Sequence, residues 1–248
     1  MKALAVWKDM AHRLLDVLLP RTCPVCGCAL VDGEQVMCTG CLMDLPRTNL
    51  HRTPAATPVL KYTAACKIVR MASMFYYNKA GGYAEMLKKS KYMGHPEIDR
   101  QLGAMFAREL QREGFFNDID LLMPVPMHRW KQWKRGFNQA EEIALGIAEV
   151  TGLPVGHQLV AVKRHKTQTR KSATSRMHLD EGIFAVRDAD TLRGRHLLLI
   201  DDIITTGATV SACALALQQA GAYEITAAAV AATEELPKSL QKSTEKRK

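Results

Sequence analysis

Two adjacent carboxylates and the threonine-rich loop behind them are the residues of this chain with the clearest capacity for ligand chemistry. Asp201 and Asp202 follow four large apolar residues at 197–200. The loop then supplies hydroxyl and backbone N–H donors from Thr205, Thr206, Gly207, Ala208 and Thr209. Such donors at a helix N-terminus bind phosphate, whereas carboxylates bind vicinal hydroxyls or a divalent cation. The pattern therefore predicts a sugar-phosphate site, with the phosphate in the loop and the diol against the carboxylates.

A strand must deliver the carboxylates and a helix must follow the loop for this site to form. The apolar run 197–200 is typical of a strand buried on both faces. Residues 210–220 are rich in Ala and Leu and are closed by Gly221, which predicts a helix. Ligands in α/β sheets bind beyond the carboxyl ends of parallel strands, and this order of elements places the loop there. A buried strand and a capped helix without a ligand would explain the apolar run, but not the adjacent carboxylates.

A second unit of strand, loop and helix carries a dense set of cations. Residues 119–123 predict a short strand, and Asn138 with Glu141 predicts a capping box for a helix that ends near Val150. Cations that alternate with aromatic rings suit phosphate pairing and base stacking of single-stranded nucleic acid, but spacing alone shows only an anion site. We expect the aromatic rings to pack in the core rather than to form a base platform. The interleaved residues are His128, Arg129, Trp130, Lys131, Trp133, Lys134, Arg135 and Phe137.

Two C-x2-C pairs near the start of the chain predict a structural metal site. Cys23 and Cys26 form the first pair, and Cys38 and Cys41 form the second after eleven intervening residues. Four thiolates on two tight turns suit tetrahedral zinc, and so short a segment needs a metal for its folding energy. Disulfides, a redox C-x-x-C and an iron–sulfur cluster are the alternatives, while the odd total of seven cysteines favours a reducing cytoplasm. Cys28 is a spare thiol that could replace Cys26 or stay free.

Composition and charge limit the class of protein. The 248 residues are 47% hydrophobic, enough for one large domain or for a medium domain with a small module. Lys and Arg number 34 against 25 Asp and Glu, which gives a net charge of +9. That excess favours polyanionic partners, although a basic surface without a dedicated partner has the same composition. No apolar run is long enough to predict a membrane span.

The chain divides into four segments. Residues 1–20 place apolar side chains at helical spacing and predict an amphipathic helix that docks on the protein itself, with docking on a membrane or a partner as the alternative. Residues 21–50 contain the cysteine pairs, and residues 59–233 alternate strands with helices, which predicts an α/β domain with a parallel sheet flanked by helices. The polar, lysine-rich residues 234–248 predict a disordered basic tail. Apolar patterning adds strands at 72–77 and 225–230 and helices at 83–89 and 99–113.

Residues 197–209 resemble, without a gap, the 5-phosphoribosyl-1-pyrophosphate (PRPP) motif of type I phosphoribosyltransferases. In that family the acidic pair contacts the ribose hydroxyls and the Thr-Thr-Gly loop holds the 5′-phosphate. The cysteine pairs, the stretch 124–140 and the element Lys91-Tyr92-x-Gly94 together resemble the ComF family of competence proteins. This resemblance covers nearly the whole chain. It implies a type I phosphoribosyltransferase-like parallel sheet flanked by helices, with a small N-terminal four-cysteine zinc finger.

The resemblance also implies roles for two basic regions. The loop Pro124, Val125 and Pro126 would contact pyrophosphate, and the aperiodic stretch 163–176 would be a flexible lid whose cations stabilise the leaving group. Zinc would be structural, and Mg²⁺ would accompany PRPP. Pyrophosphate is therefore assigned to Arg135, Lys163, Arg164 and Arg176, and nucleic acid to Lys131 and Lys134.

The implied function is PRPP binding linked to the handling of single-stranded DNA in natural transformation. The implied setting is cytoplasmic, with competence DNA-processing proteins as partners; a homodimer is compatible with it. One hypothesis is an enzyme that transfers phosphoribose from PRPP to an acceptor that the sequence does not identify. The other is a non-catalytic protein that retains the fold and binds single-stranded DNA or senses PRPP, since fold does not settle activity.

Overall fold

The computed structural model describes residues 21–52, 68–79, 81–162 and 183–233. The predicted N-terminal helix, the basic stretch 163–176 and the predicted tail lie outside these ranges. The strands are β1 Ile68–Tyr77, β2 Leu121–Pro124, β3 Leu159–Ala161, β4 Phe184–Val186, β5 His196–Ile204 and β6 Glu224–Thr233. The α-helices are α1 Thr39–Met43, α2 Gly82–Met93, α3 Pro96–Gln111, α4 Arg129–Arg135, α5 Gln139–Thr151 and α6 Ala208–Gln219, and 3-10 turns occupy Leu50–Arg52 and Ala189–Leu192.

The main sheet is parallel throughout, in the order β1–β6–β5–β2. The predicted parallel sheet is thereby confirmed, and the four carboxyl ends of its strands meet along one edge. A separate antiparallel pair, β3 with β4, joins Leu159 to Val186 and Ala161 to Phe184. This pair places Ala161 beside Phe184, and the predicted lid residues 163–176 fall between these two positions in the sequence.

Helices cover both faces of the sheet because the strands alternate their apolar side chains. On β5, Leu198 and Ile200 join a core with α2, α3 and α5, whereas Leu197 and Leu199 join a second core with α6. The four residues are fully buried, as the apolar run predicts for a central strand. The sequence therefore defines the layer order of helices, sheet and helix.

Helices α3 and α5 pack closely because each presents a glycine to the other. A Cβ atom on Gly103 would lie 2.3 Å from the carbonyl oxygen of Ile143, and one on Gly146 would lie 1.9 Å from that of Arg100. Both distances are far below van der Waals contact. The pair of glycines therefore fixes the separation of the two helices that lie under the carboxyl edge of β5.

The cysteine-bearing segment docks on the sheet rather than hanging from it. Cys23, Val36 and Leu45 belong to the same core as Phe75 and the α2 residue Met86. Residues 46–48 also pair with the exposed edge of β1: Tyr76 N–H donates to Pro46 at 2.8 Å, and Thr48 N–H donates to Met74 at 3.3 Å. The segment thus supplies both a core partner and an edge partner to the parallel sheet.

Candidate functional site

A cavity of about 480 Å³ opens at the carboxyl edge of the sheet, and we call it the edge pocket. It unites residues that are distant in sequence, including Lys79 beyond β1, Lys91 on α2 and Gln139 on α5. Pro124 lines a neighbouring cavity of about 430 Å³ instead, while Lys163, Arg164 and Arg176 lie outside the described residues. The lining of the edge pocket does not include four other predicted site residues, Thr206, Gly207, Ala208 and Lys134. The predicted site residues that line the edge pocket are Val125, Pro126, Lys131, Arg135, Asp201, Asp202, Thr205 and Thr209.

The acidic pair lies within the last part of β5, not beyond its end as the sequence predicts. The strand continues to Ile204, and Asp201 stands in register with Ala229 of β6. Burial, supplemented by the charge of Asp202, raises the pKa of Asp201 well above its ordinary value. A raised pKa favours the protonated form of one carboxyl, and a protonated carboxyl beside an ionised one offers both a donor and acceptors. Such a pair suits two neighbouring hydroxyl groups on a ligand.

The loop after β5 turns sharply at a glycine into the start of α6. Gly207 occupies the N-cap of α6 with φ +82°, a left-handed conformation that side chains disfavour. The N–H of Ala208 points back to Thr206 Oγ1 at 3.4 Å, and Thr233 Oγ1 donates to the carbonyl of Thr205 at 3.0 Å. The loop is therefore held from both sides at the start of α6, where the helix dipole favours an anion.

Lys91, at the end of α2, lines the edge pocket, and Tyr92 follows it; the site residues assigned from sequence include neither. Lys91 Nζ lies 3.6 Å from Asp202 Oδ2, and the guanidinium of Arg135 lies 5.9 Å from the centre of the Tyr92 ring. Gly94 ends the helix in a left-handed conformation with φ +73° and so stops it beside the pocket. The Lys91-Tyr92-x-Gly94 element was the available signal, and only the fold shows that it faces the acidic pair.

The basic loop forms the short helix α4, and two predictions about it are wrong. Trp130 and Trp133 do not pack in the core: they are 51% and 82% exposed. A seven-residue helix crowded with cations has no apolar face wide enough to bury both rings. Asn138 is the N-cap of α5, but its side chain makes no cap bond and donates instead to the carbonyl of Val125 at 3.0 Å. That bond ties the loop after β2 to α5.

The cysteines near the chain start cluster as a metal site requires. The sulfurs of Cys23, Cys26, Cys28 and Cys38 all lie within 4.8 Å of one another, and these four could hold a metal ion. Cys28 thus stands in this group where the sequence predicts Cys41 as the fourth ligand. Cys41 still interacts with the side chains of Cys23, Cys26 and Cys38. The N–H groups of Cys38 and Cys41 each point at a cysteine sulfur, at 3.4 Å. A hydrogen bond from a backbone N–H stabilises the thiolate form of the sulfur that accepts it.

Sequence comparison identifies one family and several relatives. A family model described as phosphoribosyl transferase domain matches residues 103–246. Competence protein ComFC of Bacillus subtilis (strain 168) is 26% identical over 206 residues, 77% of this chain and 82% of that protein. Competence protein F of Haemophilus influenzae is 28% identical over 145 residues, 56% of this chain and 63% of that protein. DNA utilization protein YhgH of Escherichia coli (strain K12) is 24% identical over 213 residues, 82% and 86% of the two chains.

Solved structures show a partial likeness only. Glutamine PRPP amidotransferase from B. subtilis matches 53% of this chain and 25% of its own, at 21% identity and a TM-score of 0.37. Adenine phosphoribosyltransferase from Saccharomyces cerevisiae matches 62% of this chain and 76% of its own, at 16% identity and a TM-score of 0.34. None of the helices in the described part of the chain has the length and apolarity that crossing a membrane demands.

Proposed function

Because the chain belongs to the phosphoribosyl transferase domain family and is related over most of its length to ComF-type competence proteins, we propose that it binds PRPP in the edge pocket. The observation that carries the proposal is the meeting of an acidic pair, a threonine loop and several cations around one cavity. PRPP has the matching parts: a vicinal diol, a 5′-phosphate and a pyrophosphate. The acidic pair, the threonine loop or the cations alone would not distinguish PRPP from other ligands, but the three together match its diol, its 5′-phosphate and its pyrophosphate.

Each part of PRPP has a chemically suited wall in the edge pocket. The diol would lie against Asp201 and Asp202, and the 5′-phosphate would lie in the loop from Thr205 to Thr209. The pyrophosphate would lie toward Arg135 and the loop after β2, where Asn138 fixes Val125. Mg²⁺ bound to the pyrophosphate supplies further positive charge when it enters with the ligand.

The reaction class that this arrangement supports is phosphoribosyl transfer. The bond from the ribose to pyrophosphate breaks as an acceptor attacks, so negative charge grows on the leaving group. Preorganised cations near that group lower the barrier, and Arg135 and Lys131 line the pocket on that side. Lys163, Arg164 and Arg176 would add to them from the predicted lid. The acidic pair keeps the ribose oriented while the bond breaks.

Calorimetry with PRPP and Mg²⁺, followed by an assay of pyrophosphate release, tests this function. We expect saturable binding of one PRPP per chain, and release of pyrophosphate when a nitrogen nucleophile is supplied. Binding without release would favour the non-catalytic, PRPP-sensing alternative. Absence of binding at millimolar PRPP would remove the proposal altogether.

Exposed aromatics favour a second candidate function, the binding of single-stranded DNA. Trp133 and Trp130 stand out from α4 among Lys131, Lys134 and Arg135. Bases stack on exposed rings while phosphates pair with neighbouring cations, which is how proteins hold single strands. The printed names of the relatives, competence and DNA utilization proteins, point in the same direction. Quenching of tryptophan fluorescence by an oligothymidine would report such stacking directly.

The cysteine cluster is proposed to hold one structural zinc ion. A donor set made only of thiolates suits zinc and leaves no open coordination position, so we assign the ion a role in folding. The cluster packs against the start of α2, because a Cβ on Gly82 would lie 2.5 Å from the carbonyl oxygen of Val25. Zinc would therefore fix the position of α2, the helix that carries Lys91.

A further inference from the structure

A carboxylate that the proposed binding mode does not use lies beneath the edge pocket. Asp99, in the first turn of α3, is fully buried. Its Oδ2 accepts a hydrogen bond from the hydroxyl of Ser90, the residue before Lys91 on α2. Across the described ranges 21–52, 68–79, 81–162 and 183–233, it forms no salt bridge. A buried carboxylate without a cation is costly, so its presence calls for a local explanation.

The second partner of Asp99 is Gln139, the first residue of α5. Its side chain lies close enough to act on the Asp99 carboxyl. Gln139 is only 2% exposed, yet it lines the edge pocket. The contact lies one helical turn before the close crossing at Gly103 and Ile143, so α3 and α5 hold it at a fixed separation. Asp99 therefore touches two of the elements that form the pocket wall.

The hydrogen bonding of this group is incomplete in a specific way. Asp99 Oδ1 and Gln139 Oε1 are both buried acceptors without a hydrogen-bond partner. A proton on the carboxyl turns one acceptor into a donor, and the amide can present either its oxygen or its nitrogen. Rotation of the amide and transfer of one proton would therefore give the pair two satisfied arrangements. In one, the ionised carboxylate would accept from the Gln139 amide nitrogen; in the other, the protonated carboxyl would donate to the amide oxygen.

We propose that Asp99 is a positioning residue for PRPP, which sets the amide orientation of Gln139 and, through Ser90, the placement of Lys91 in the pocket. The proposal deepens the function proposed above and rests on it. Gln139 then presents its amide N–H group or its carbonyl to the ligand according to the protonation of Asp99. Neither Ser90 nor Asp99 needs to touch PRPP.

The charges around Asp99 determine the direction of the effect. Asp202 on β5 and Glu142 on α5 act on it, and both are acidic, while Lys91 is engaged with Asp202. Burial, more than these charges, raises the pKa of Asp99 to about 7. Loss of its proton adds negative charge beneath a pocket meant for a polyanion. PRPP should therefore bind more weakly once Asp99 is ionised.

The test compares the full-length protein with Asp99→Asn, which keeps the shape and permanently mimics the neutral carboxyl. The side-chain amide signal of Gln139, identified by its loss in Gln139→Glu, is followed by NMR from pH 6 to pH 8 without PRPP. We expect it to titrate in the wild type and to stay constant in Asp99→Asn. An amide signal that ignores pH in the wild type overturns the proposal, whether or not PRPP binds.

Calorimetry with PRPP and Mg²⁺ over the same pH range gives the functional readout. The wild-type dissociation constant should rise, relative to that of Asp99→Asn, by about threefold or more between pH 6 and pH 8. Ser90→Ala should weaken binding, whereas Ser73→Ala, which removes another buried serine hydroxyl in β1, should not. Parallel pH profiles of wild type and Asp99→Asn would refute the positioning role. A titrating amide with no PRPP binding would refute only the PRPP function.

Discussion

Lys91 Nζ lies 3.6 Å from Asp202 Oδ2, which joins the end of α2 to the acidic end of β5. The lysine partly neutralises a pair of neighbouring carboxyls that would otherwise repel a polyanion. It also leaves Asp201, whose pKa is raised mainly by burial, as the carboxyl more ready to keep a proton. The acidic pair is thus made compatible with a phosphorylated sugar by a residue from a different layer of the fold.

Replacing Lys91 with Ala should weaken PRPP binding by about tenfold, because the pocket loses the ammonium group that faces both Asp202 and the ligand. A hydrogen bond from such a charged group contributes about 1.5–3 kcal/mol. Calorimetry in the presence of Mg²⁺ gives the affinity. Lys88→Ala is the matched control: it lies on the same helix and pairs with Glu85 at the surface. Equal affinities for the two variants would show that the contact with Asp202 is irrelevant to the ligand.

The double variant Asp201→Asn and Asp202→Asn should lose the contacts to the ribose hydroxyls while it keeps the fold. Its binding of PRPP should weaken by about 2 kcal/mol or more. Thermal unfolding should show little loss of stability, because each Asn keeps a side-chain oxygen that can accept from the N–H of Asp202 or Ile203. Wild-type affinity in this variant would rule out the carboxylates as the diol site.

Asp99→Asn should gain stability over the wild type as pH rises. The folded-state pKa of Asp99 is raised from 3.8 to about 7, so between these values the folded protein holds a proton that the unfolded chain has lost. Wild-type stability therefore falls through that window, by at most about 1.4 kcal/mol per pH unit, and levels off above it. Urea unfolding of both proteins at several pH values measures the difference. Curves that run parallel would contradict the assignment.

Elemental analysis of protein purified without chelator should find one zinc per chain. Cys23→Ser, Cys26→Ser, Cys38→Ser and Cys41→Ser should each lose it, since a tetrahedral site needs all four thiolates. Cys28→Ser should retain the metal if the two C-x2-C pairs supply the ligands, and it is the decisive variant because the sulfur of Cys28 lies within 4.8 Å of those of Cys23, Cys26 and Cys38. The buried Cys213, replaced by Ala, controls for general loss of folding. Loss of zinc from Cys28→Ser together with its retention in Cys41→Ser would identify Cys28, and not Cys41, as the fourth ligand.

Binding of an oligothymidine should weaken steeply with salt, at a slope of about 0.7 per phosphate contact. Lys131→Ala with Lys134→Ala should reduce that slope by about 1 to 1.5. Trp133→Ala should weaken binding at every salt concentration by about 1–3 kcal/mol through lost stacking. Tyr223→Ala removes an aromatic ring that is 67% exposed elsewhere and should change nothing. If every variant binds DNA as the wild type does, α4 is not the DNA site, and its cations are left with the proposed role in PRPP binding.

The parts of the site that the sequence predicts are those carried by short continuous patterns. Leu197 to Ile200 identify β5 because four apolar residues need two covered faces, and Gly207 identifies the turn because its backbone is left-handed. Lys91 could not be placed in this way, since its contact with Asp202 depends on how α2 packs across the sheet. Trp133 is exposed although its apolar ring predicts burial, because a helix as short as α4 has no apolar face wide enough to bury it.

The pairing of residues 46–48 with β1 has a consequence for anyone who divides this protein into pieces. In a fragment that starts at residue 59, the carbonyl of Met74 and the N–H of Tyr76 would lose the hydrogen bonds that residues 46–48 make with them. The fragment would also lose the cover of Leu45 and Leu50. Unprotected strand edges recruit other chains, so such a fragment should aggregate even with every proposed ligand-binding residue intact. The segment at 46–48, which is not a strand of the sheet, thus protects the edge strand β1 from pairing with other chains.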